Sequence, residues 1–161
     1  MENMNFCFGH PKGSVWGLIT SRGLRSLCLE PRGERPRALE PVENAELDRR
    51  LRAALERYFE GEAVDFRDIP LDLNGATSFR VAVWKAARKI HWGKTCSYGE
   101  LAEKLGKPAA SRAVGQALGA NPVPIVVPCH RVLAADGKLG GFSGGLDWKR
   151  TLLRIEGHEM G

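Results

Sequence analysis

Residues 97–122, SYGELAEKLGKPAASRAVGQALGANP, carry the pattern from which the fold follows. Ser97 and Glu100 stand at the spacing of a capping box, in which a hydroxyl and a glutamate three residues on satisfy each other's backbone N–H groups. The helix they open carries Leu101 and Leu105 on its apolar face and stops at Gly106. A second helix, about residues 109–119, begins after Lys107 and Pro108. Two short helices joined by a glycine-containing turn are the pattern of a helix-turn-helix.

The second helix is built from small residues: Ala109, Ala110, Ser111, Ala113, Gly115, Ala117, Gly119 and Ala120, with bulk only at Arg112, Val114, Gln116 and Leu118. A major-groove reader needs several long polar side chains on its exposed face. A smooth helix with one arginine better suits close approach to a minor groove. Tight packing against the rest of the protein, with Arg112 merely solvated, is the other reading of the same residues. Asn121 and Pro122 close the helix, because asparagine tolerates the left-handed conformation and proline cannot continue the hydrogen-bond ladder.

Downstream, residues 123–145 read VPIVVPCHRVLAADGKLGGFSGG. The segment is apolar and proline-locked before Cys129 and glycine-rich after it, which fixes a thiol on stiff backbone beside a flexible loop. A thiol acts as a nucleophile only as thiolate, so Cys129 needs a base or positive charge, and His130 and Arg131 follow at once. On an extended strand neighbours face opposite ways, so His130 would reach the sulfur only through a turn or a bridging water. A buried structural cysteine beside a surface histidine is the competing reading. A last helix, residues 146–156, has Asp147 near its start and Trp148, Leu152 and Ile155 on its apolar face. Glu156 then sits at the C-terminal end, where the helix dipole disfavours negative charge. It calls for a cation or donor; Arg154, Lys149 and His130 are the candidates.

Upstream, composition changes at residues 68–78, DIPLDLNGATS. Thr77 or Ser78 can cap a helix that presents Phe79, Val83, Ala86, Ala87 and Ile90. Residues 5–8, 14–20 and 24–30 are short aliphatic and aromatic runs separated by glycine-bearing turns, which predicts a small antiparallel sheet. Leu47, Leu51, Ala54, Leu55, Tyr58 and Phe59 recur at helical spacing, with Gly61 as a stop. The chain thus reads as α/β, with an N-terminal sheet and helix over residues 1–76 and a C-terminal winged-helix-like helix-turn-helix domain over residues 77–161. Cys7, His10 and Cys28 read better as core or surface residues than as metal ligands.

Charge separates the same two parts. Residues 1–76 hold 11 Lys and Arg against 13 Asp and Glu, net −2, whereas residues 77–161 hold 13 against 6, net +7. A basic half suggests a polyanion-binding surface. The four cysteines, Cys7, Cys28, Cys96 and Cys129, are scattered without a CxxC, which argues against a disulfide framework and a thiolate zinc site. No run of about 18 apolar residues occurs and the first residues lack a signal-peptide pattern, so a cytoplasmic protein is expected.

Taken in order, SYGE, NPVPI, PCHRV and FSGG closely resemble the O6-alkylguanine-DNA alkyltransferases, also called methylated-DNA-protein-cysteine methyltransferases. The detailed resemblance runs from about Phe79 to Gly157, and the first half is similar in length and pattern only. It implies single-use DNA repair, in which an alkyl group passes irreversibly from O6-alkylguanine, and less readily O4-alkylthymine, to Cys129. It further implies that His130 and Glu156 reach the sulfur through a water and that Asn121 completes the network. Tyr98 would help rotate the target nucleotide and donate to the base, and Arg112 would replace the extruded guanine. Ala110, Ser111, Ala113 and Gly115 would share the DNA-facing helix with Arg112, while Pro124, Val132, Phe142, Ser143 and Gly144 would form the substrate pocket. Guanine O6 lies within the paired edge, so transfer requires the nucleotide to leave the stack.

The resemblance implies a monomer that binds double-stranded DNA through the minor groove, needs no cofactor or metal and has no membrane partner. Phe142 departs from the tyrosine of many members, and no N-terminal Cys and His set matches the zinc ligands that some members carry. A binding-only group has tryptophan in place of the acceptor cysteine; Cys129 sets this chain apart from it. The rival readings are a helix-turn-helix regulator with an incidental cysteine, which predicts sequence preference, and a cysteine hydrolase, which predicts turnover.

Overall fold

A computed structural model describes residues 4–11, 13–31, 39–142 and 145–159, and the chain divides into two compact units, Met1–Leu73 and Asn74–Gly161. In the first unit, strands β1 (Phe6–His10), β2 (Gly13–Thr20) and β3 (Gly23–Pro31) form an antiparallel sheet in the order β1-β2-β3. Alternation along β2 buries Val15 and Ile19 while Trp16 and Leu18 stay half-exposed. Leu18 pairs with Ser26 but Ile19 pairs with Leu24, so Arg25 is the extra residue of a bulge. Just before β1 begins, the buried Asn5 amide pairs with both backbone groups of Ile19, each at 2.8 Å. Helix α1 (Ala45–Phe59) starts at Asn44, whose side chain accepts from Leu47 N–H, and buries Leu47, Leu51, Leu55 and Tyr58. Each of those leucines stabilises the unit by roughly 2 kcal/mol through burial.

The three residues weighed as metal ligands do not converge. Cys7 and Cys28 flank Trp16 across the sheet, and the His10 ring stacks on Phe59 with centroids 4.5 Å apart. Among the described residues, no group of three His, Cys, Asp or Glu side chains is placed to hold a metal, and no helix is long and apolar enough to cross a membrane.

The second unit contains α2 (Ser78–Arg88), β4 (Cys96–Ser97), α3 (Tyr98–Lys104), α4 (Ser111–Gly119), β5 (Val132–Leu133) and α5 (Leu146–Ile155). Thr77 caps α2, and the Ser97–Glu100 capping box is formed in both directions, at 3.0 and 3.1 Å. The helix expected over residues 109–119 begins instead as a 3-10 turn at Pro108–Ala110, closed by Ala110 N–H to Lys107 O. Val114, Ala117 and Leu118 face inward, and Trp84 Nε1 of α2 donates to Ala117 O at 2.8 Å. Small residues allow that approach, so the inward face of α4 is a packing face and its outer face is free for contact. Strands β4 and β5 pair in parallel, Cys96 with Val132 and Ser97 with Leu133, which sets the chain just after Cys129 beside the start of α3.

Two faces differ from the periodicity. Leu105 is only half-buried, and α5 buries Trp148, Lys149, Leu152 and Leu153 while Ile155 is half-exposed. The apolar stripe of α5 is thus rotated toward a lysine, which sequence hydropathy places in solvent.

Candidate active site

Asn121 organises the segment that presents the cysteine. Its Oδ1 accepts from Val123 N–H at 3.0 Å, while its Nδ2 donates to Val127 O at 2.9 Å and to Cys129 Sγ at 3.1 Å. Val127 N–H closes on Val123 O, forcing a tight turn between them. At its apex the buried Ile125 has φ 74°, a left-handed conformation that costs a β-branched residue about 1–2 kcal/mol. Asn121 therefore fixes both the loop and the sulfur.

Cys129–Arg131 form a 3-10 turn, and all three residues are buried. Backbone alternation on a strand, the obstacle foreseen for His130, does not apply there. His130 Nε2 meets Glu156 Oε2 at 2.5 Å. Arg131 grips the same carboxylate with Nε to Oε1 at 2.7 Å and Nη2 to Oε2 at 3.2 Å, and its Nη1 donates to Ile90 O. Gly93 N–H adds a longer contact to Oε1, 3.4 Å. The negative charge at the end of α5 is thus met by His130 and Arg131. Lys149, a local candidate for that task, donates instead to Val132 O and Gly141 O, and Arg154 is exposed.

These surroundings set the protonation states. Burial pushes the Cys129 thiol up to about 11, against the opposing Asn121 hydrogen bond and Lys149 charge. Burial would raise Glu156, but its bonds and charges from His130 and Arg131 prevail and hold it at about 2. Complete burial lowers His130, and Glu156 opposes that shift only in part. The resting site is a thiol, a neutral imidazole and a fixed carboxylate.

A cavity of about 340 Å³ is lined by Tyr98, Gly115, Leu118 and Gly119 and by Cys129, Gly141 and Phe142. That is at the small end of the range for ligand pockets, about 300–1,000 Å³. It joins Tyr98, Cys129 and Phe142 of the expected site, and Gly115, expected on the DNA face, belongs to it as well. Pro124 and Val132 do not line it: both are buried, Pro124 bridged to Val127 in the tight turn and Val132 paired in β5. Ser143 and Gly144 lie outside the described residues. Ser111, Arg112 and Ala113 are exposed at the start of α4, with Ala110 half-buried before them.

Arg131 and Lys149 enter the sequence reading with other partners, Arg131 as a cation beside Cys129 and Lys149 as a partner of Glu156, while Leu118, Gly119 and Gly141 escape it as site residues. Arg131 stands within PCHRV, and the cation that the helix dipole demands for Glu156 was the available signal. Glycine and leucine on a short helix look like packing.

Residues 78–158 match the family model for the 6-O-methylguanine DNA methyltransferase DNA-binding domain. A methylated-DNA--protein-cysteine methyltransferase of Mycolicibacterium paratuberculosis is 58% identical over 99 residues, 62% of this chain and 59% of that relative. A DNA base-flipping protein of Thermus thermophilus is 42% identical over 91% of this chain and 95% of its own. Mycobacterium tuberculosis OGT, solved in complex with DNA, superposes with TM-score 0.79 and 40% identity, covering 93% of this chain and 90% of that one. The chain belongs to the 6-O-methylguanine DNA methyltransferase family.

Proposed function

We propose that this chain repairs DNA by moving an alkyl group from O6 of guanine in the duplex to Cys129 Sγ, once per molecule. One observation carries the reading: Cys129 lines a cavity beside Tyr98, its sulfur accepts from Asn121, and the next residue, His130, is bonded to a carboxylate held by Arg131.

A thiol near 11 is almost wholly protonated at neutral pH, so the site needs a base. His130 is neutral at rest and takes the thiol proton through a bridging water, while Glu156 stays ionised and stabilises the imidazolium. As the S–C bond forms, the C–O6 bond breaks and its electron pair leaves with the guanine, which is then protonated. Tyr98, which lines the cavity, donates that proton. The product is a thioether, which has no easy leaving group, so Cys129 is not regenerated.

The guanine reaches the cavity by leaving the stack, and the likeness to a base-flipping protein supports that step. Arg112, exposed at the start of α4, takes the vacated place in the duplex. The small residues of α4 suit the minor groove, and the +7 charge of residues 77–161 provides sequence-independent attraction to phosphates. The protein acts as a monomer in the cytoplasm.

Intact mass spectrometry after incubation with an oligonucleotide containing O6-methylguanine tests the proposal. The protein gains the mass of one CH2, located on Cys129, with no turnover beyond one equivalent. Repeated turnover, or methyl on Cys7, Cys28 or Cys96, would defeat it.

A further inference from the structure

Lys149 is the buried ionisable group that the mechanism above leaves unused. It is 0% exposed on α5, among the buried Trp148, Leu152 and Leu153, where an aliphatic side chain would pack without carrying charge into the interior. Its Nζ donates to Val132 O at 2.9 Å and to Gly141 O at 3.0 Å. Val132 lies three residues beyond Cys129 in β5, and Gly141 lines the same cavity as Cys129. Among the described residues no carboxylate pairs with Lys149, so the two carbonyls solvate the ammonium without neutralising it.

We propose that Lys149 is a positioning residue of the acceptor site: its ammonium ties the Gly141 wall of the cavity to the strand following Cys129 and is the fixed positive charge against which the thiolate forms. Tyr98 of α3 lines the same cavity as Gly141 and Cys129. Other groups facing this centre are Asn121 after α4, which donates to the sulfur, His130 and Arg131 in the turn, and Glu156 at the end of α5. Glu156 is committed to His130 and Arg131, which leaves the thiolate as the anion that Lys149 serves. In agreement, burial lowers Lys149 to about 8 while Cys129 opposes the shift, and Lys149 in turn favours ionised Cys129.

The inference rests on Cys129 being the nucleophile but not on what alkylates it, so its test uses iodoacetamide, which reports thiolate whatever the natural donor. Modification of Cys129 is followed by peptide mass as a function of pH in the wild type, Lys149→Gln and Lys149→Met, with thermal unfolding alongside. Gln keeps a donor for one carbonyl without the charge; Met keeps neither. Both variants are expected to slow modification about tenfold below pH 8, where the wild-type Lys149 is charged, and to match the wild type more closely above it. The wild-type profile should carry a shoulder near pH 8, where Lys149 loses its proton, absent from both variants. A wild-type profile of a single ionisation, or a Gln variant with the wild-type profile, overturns the charge role even if the Met variant fails to fold. Failure of the wild type to take an alkyl group from O6-benzylguanine would count against the proposed function alone.

Discussion

Arg131 Nε donates to Glu156 Oε1 at 2.7 Å, so the carboxylate that meets His130 is held by a guanidinium two residues beyond Cys129. Paired contacts of Nε and Nη2 make the grip bidentate, and Nη1 anchors it to Ile90 O. Glu156 therefore stays ionised whether or not His130 carries a proton. A base whose countercharge is already in place can gain a proton without the site reorganising.

Replacing Glu156 by Gln keeps the shape and removes that charge. Transfer should slow and the apparent Cys129 pKa should rise, with DNA affinity little changed. The carboxyl is depressed from 4.5 to about 2, so its contribution to stability is present above pH 4.5 and lost as pH falls toward 2. That contribution is roughly 3 kcal/mol, and the variant should melt earlier at neutral pH but lack the wild-type decline between those values. Thermal unfolding from pH 7 down to 2, beside single-turnover kinetics on free O6-benzylguanine, reads both effects. A Gln variant that melts earlier yet reacts at the wild-type rate would leave Glu156 as a helix anchor only.

His130→Ala should slow the same reaction by a similar factor, and the double variant should lose much less than the two single losses combined, because the pair acts as a unit. Burial holds His130 below 6.5, so wild-type stability should also fall as pH drops through that value. Alanine at 130 removes that slope. Fully additive kinetic losses would make His130 a bystander.

How far the sequence could carry these conclusions depended on the kind of residue. Helix α1 was legible because Leu47, Leu51 and Leu55 repeat at four-residue spacing and Gly61 ends it, whereas its Asn44 cap emerged only from the structure. The capping box at Ser97 and Glu100 was equally readable, since it is a local reciprocal contact. Lys149 was not, because a lysine in an amphipathic helix reads as solvated and only the tertiary fold shows two carbonyls waiting for it. The Glu156 partners were half legible: the dipole argument demanded a cation, but sequence distance favoured Lys149 and Arg154 over Arg131, 25 residues away. The 3-10 start before α4 turns on one N–H at Ala110, below what composition can resolve.

Arg112→Ala should reduce transfer from duplex DNA far more than from free O6-benzylguanine, since only the duplex needs a stand-in for the extruded nucleotide. Binding to undamaged duplex should weaken modestly and lose about one phosphate contact's worth of salt dependence at most. Arg112 is exposed, so folding should not change. Single-turnover rates on the two substrates decide the matter. Equal losses on both would remove Arg112 from the flipping role.

Gly140→Ala tests whether the Tyr98 hydroxyl must stay where it is. Gly140 has φ +68° and a Cβ there would lie 2.7 Å from Tyr98 Oη, 3.1 Å from Cε2 and 3.4 Å from Cζ. Alanine therefore adds both backbone strain, about 1–2 kcal/mol, and a collision that the tyrosine ring must move to relieve. Gly137→Ala separates the two, because φ is +79° there and a Cβ meets nothing within 4 Å. Both variants should lose similar stability, but only Gly140→Ala should slow transfer, by about tenfold or more. Tyr98→Phe in the Gly140→Ala background removes the 2.7 Å contact while leaving the ring contact at 3.1 Å. If the lost rate comes from a displaced hydroxyl, that double variant should react no faster than Tyr98→Phe alone and no slower. If it comes from a blocked cavity, the double variant should be slower than Tyr98→Phe, because the alanine methyl still crowds the ring. Equal rates for Gly137→Ala and Gly140→Ala would show that the loop strain, and not the Tyr98 contact, governs the site.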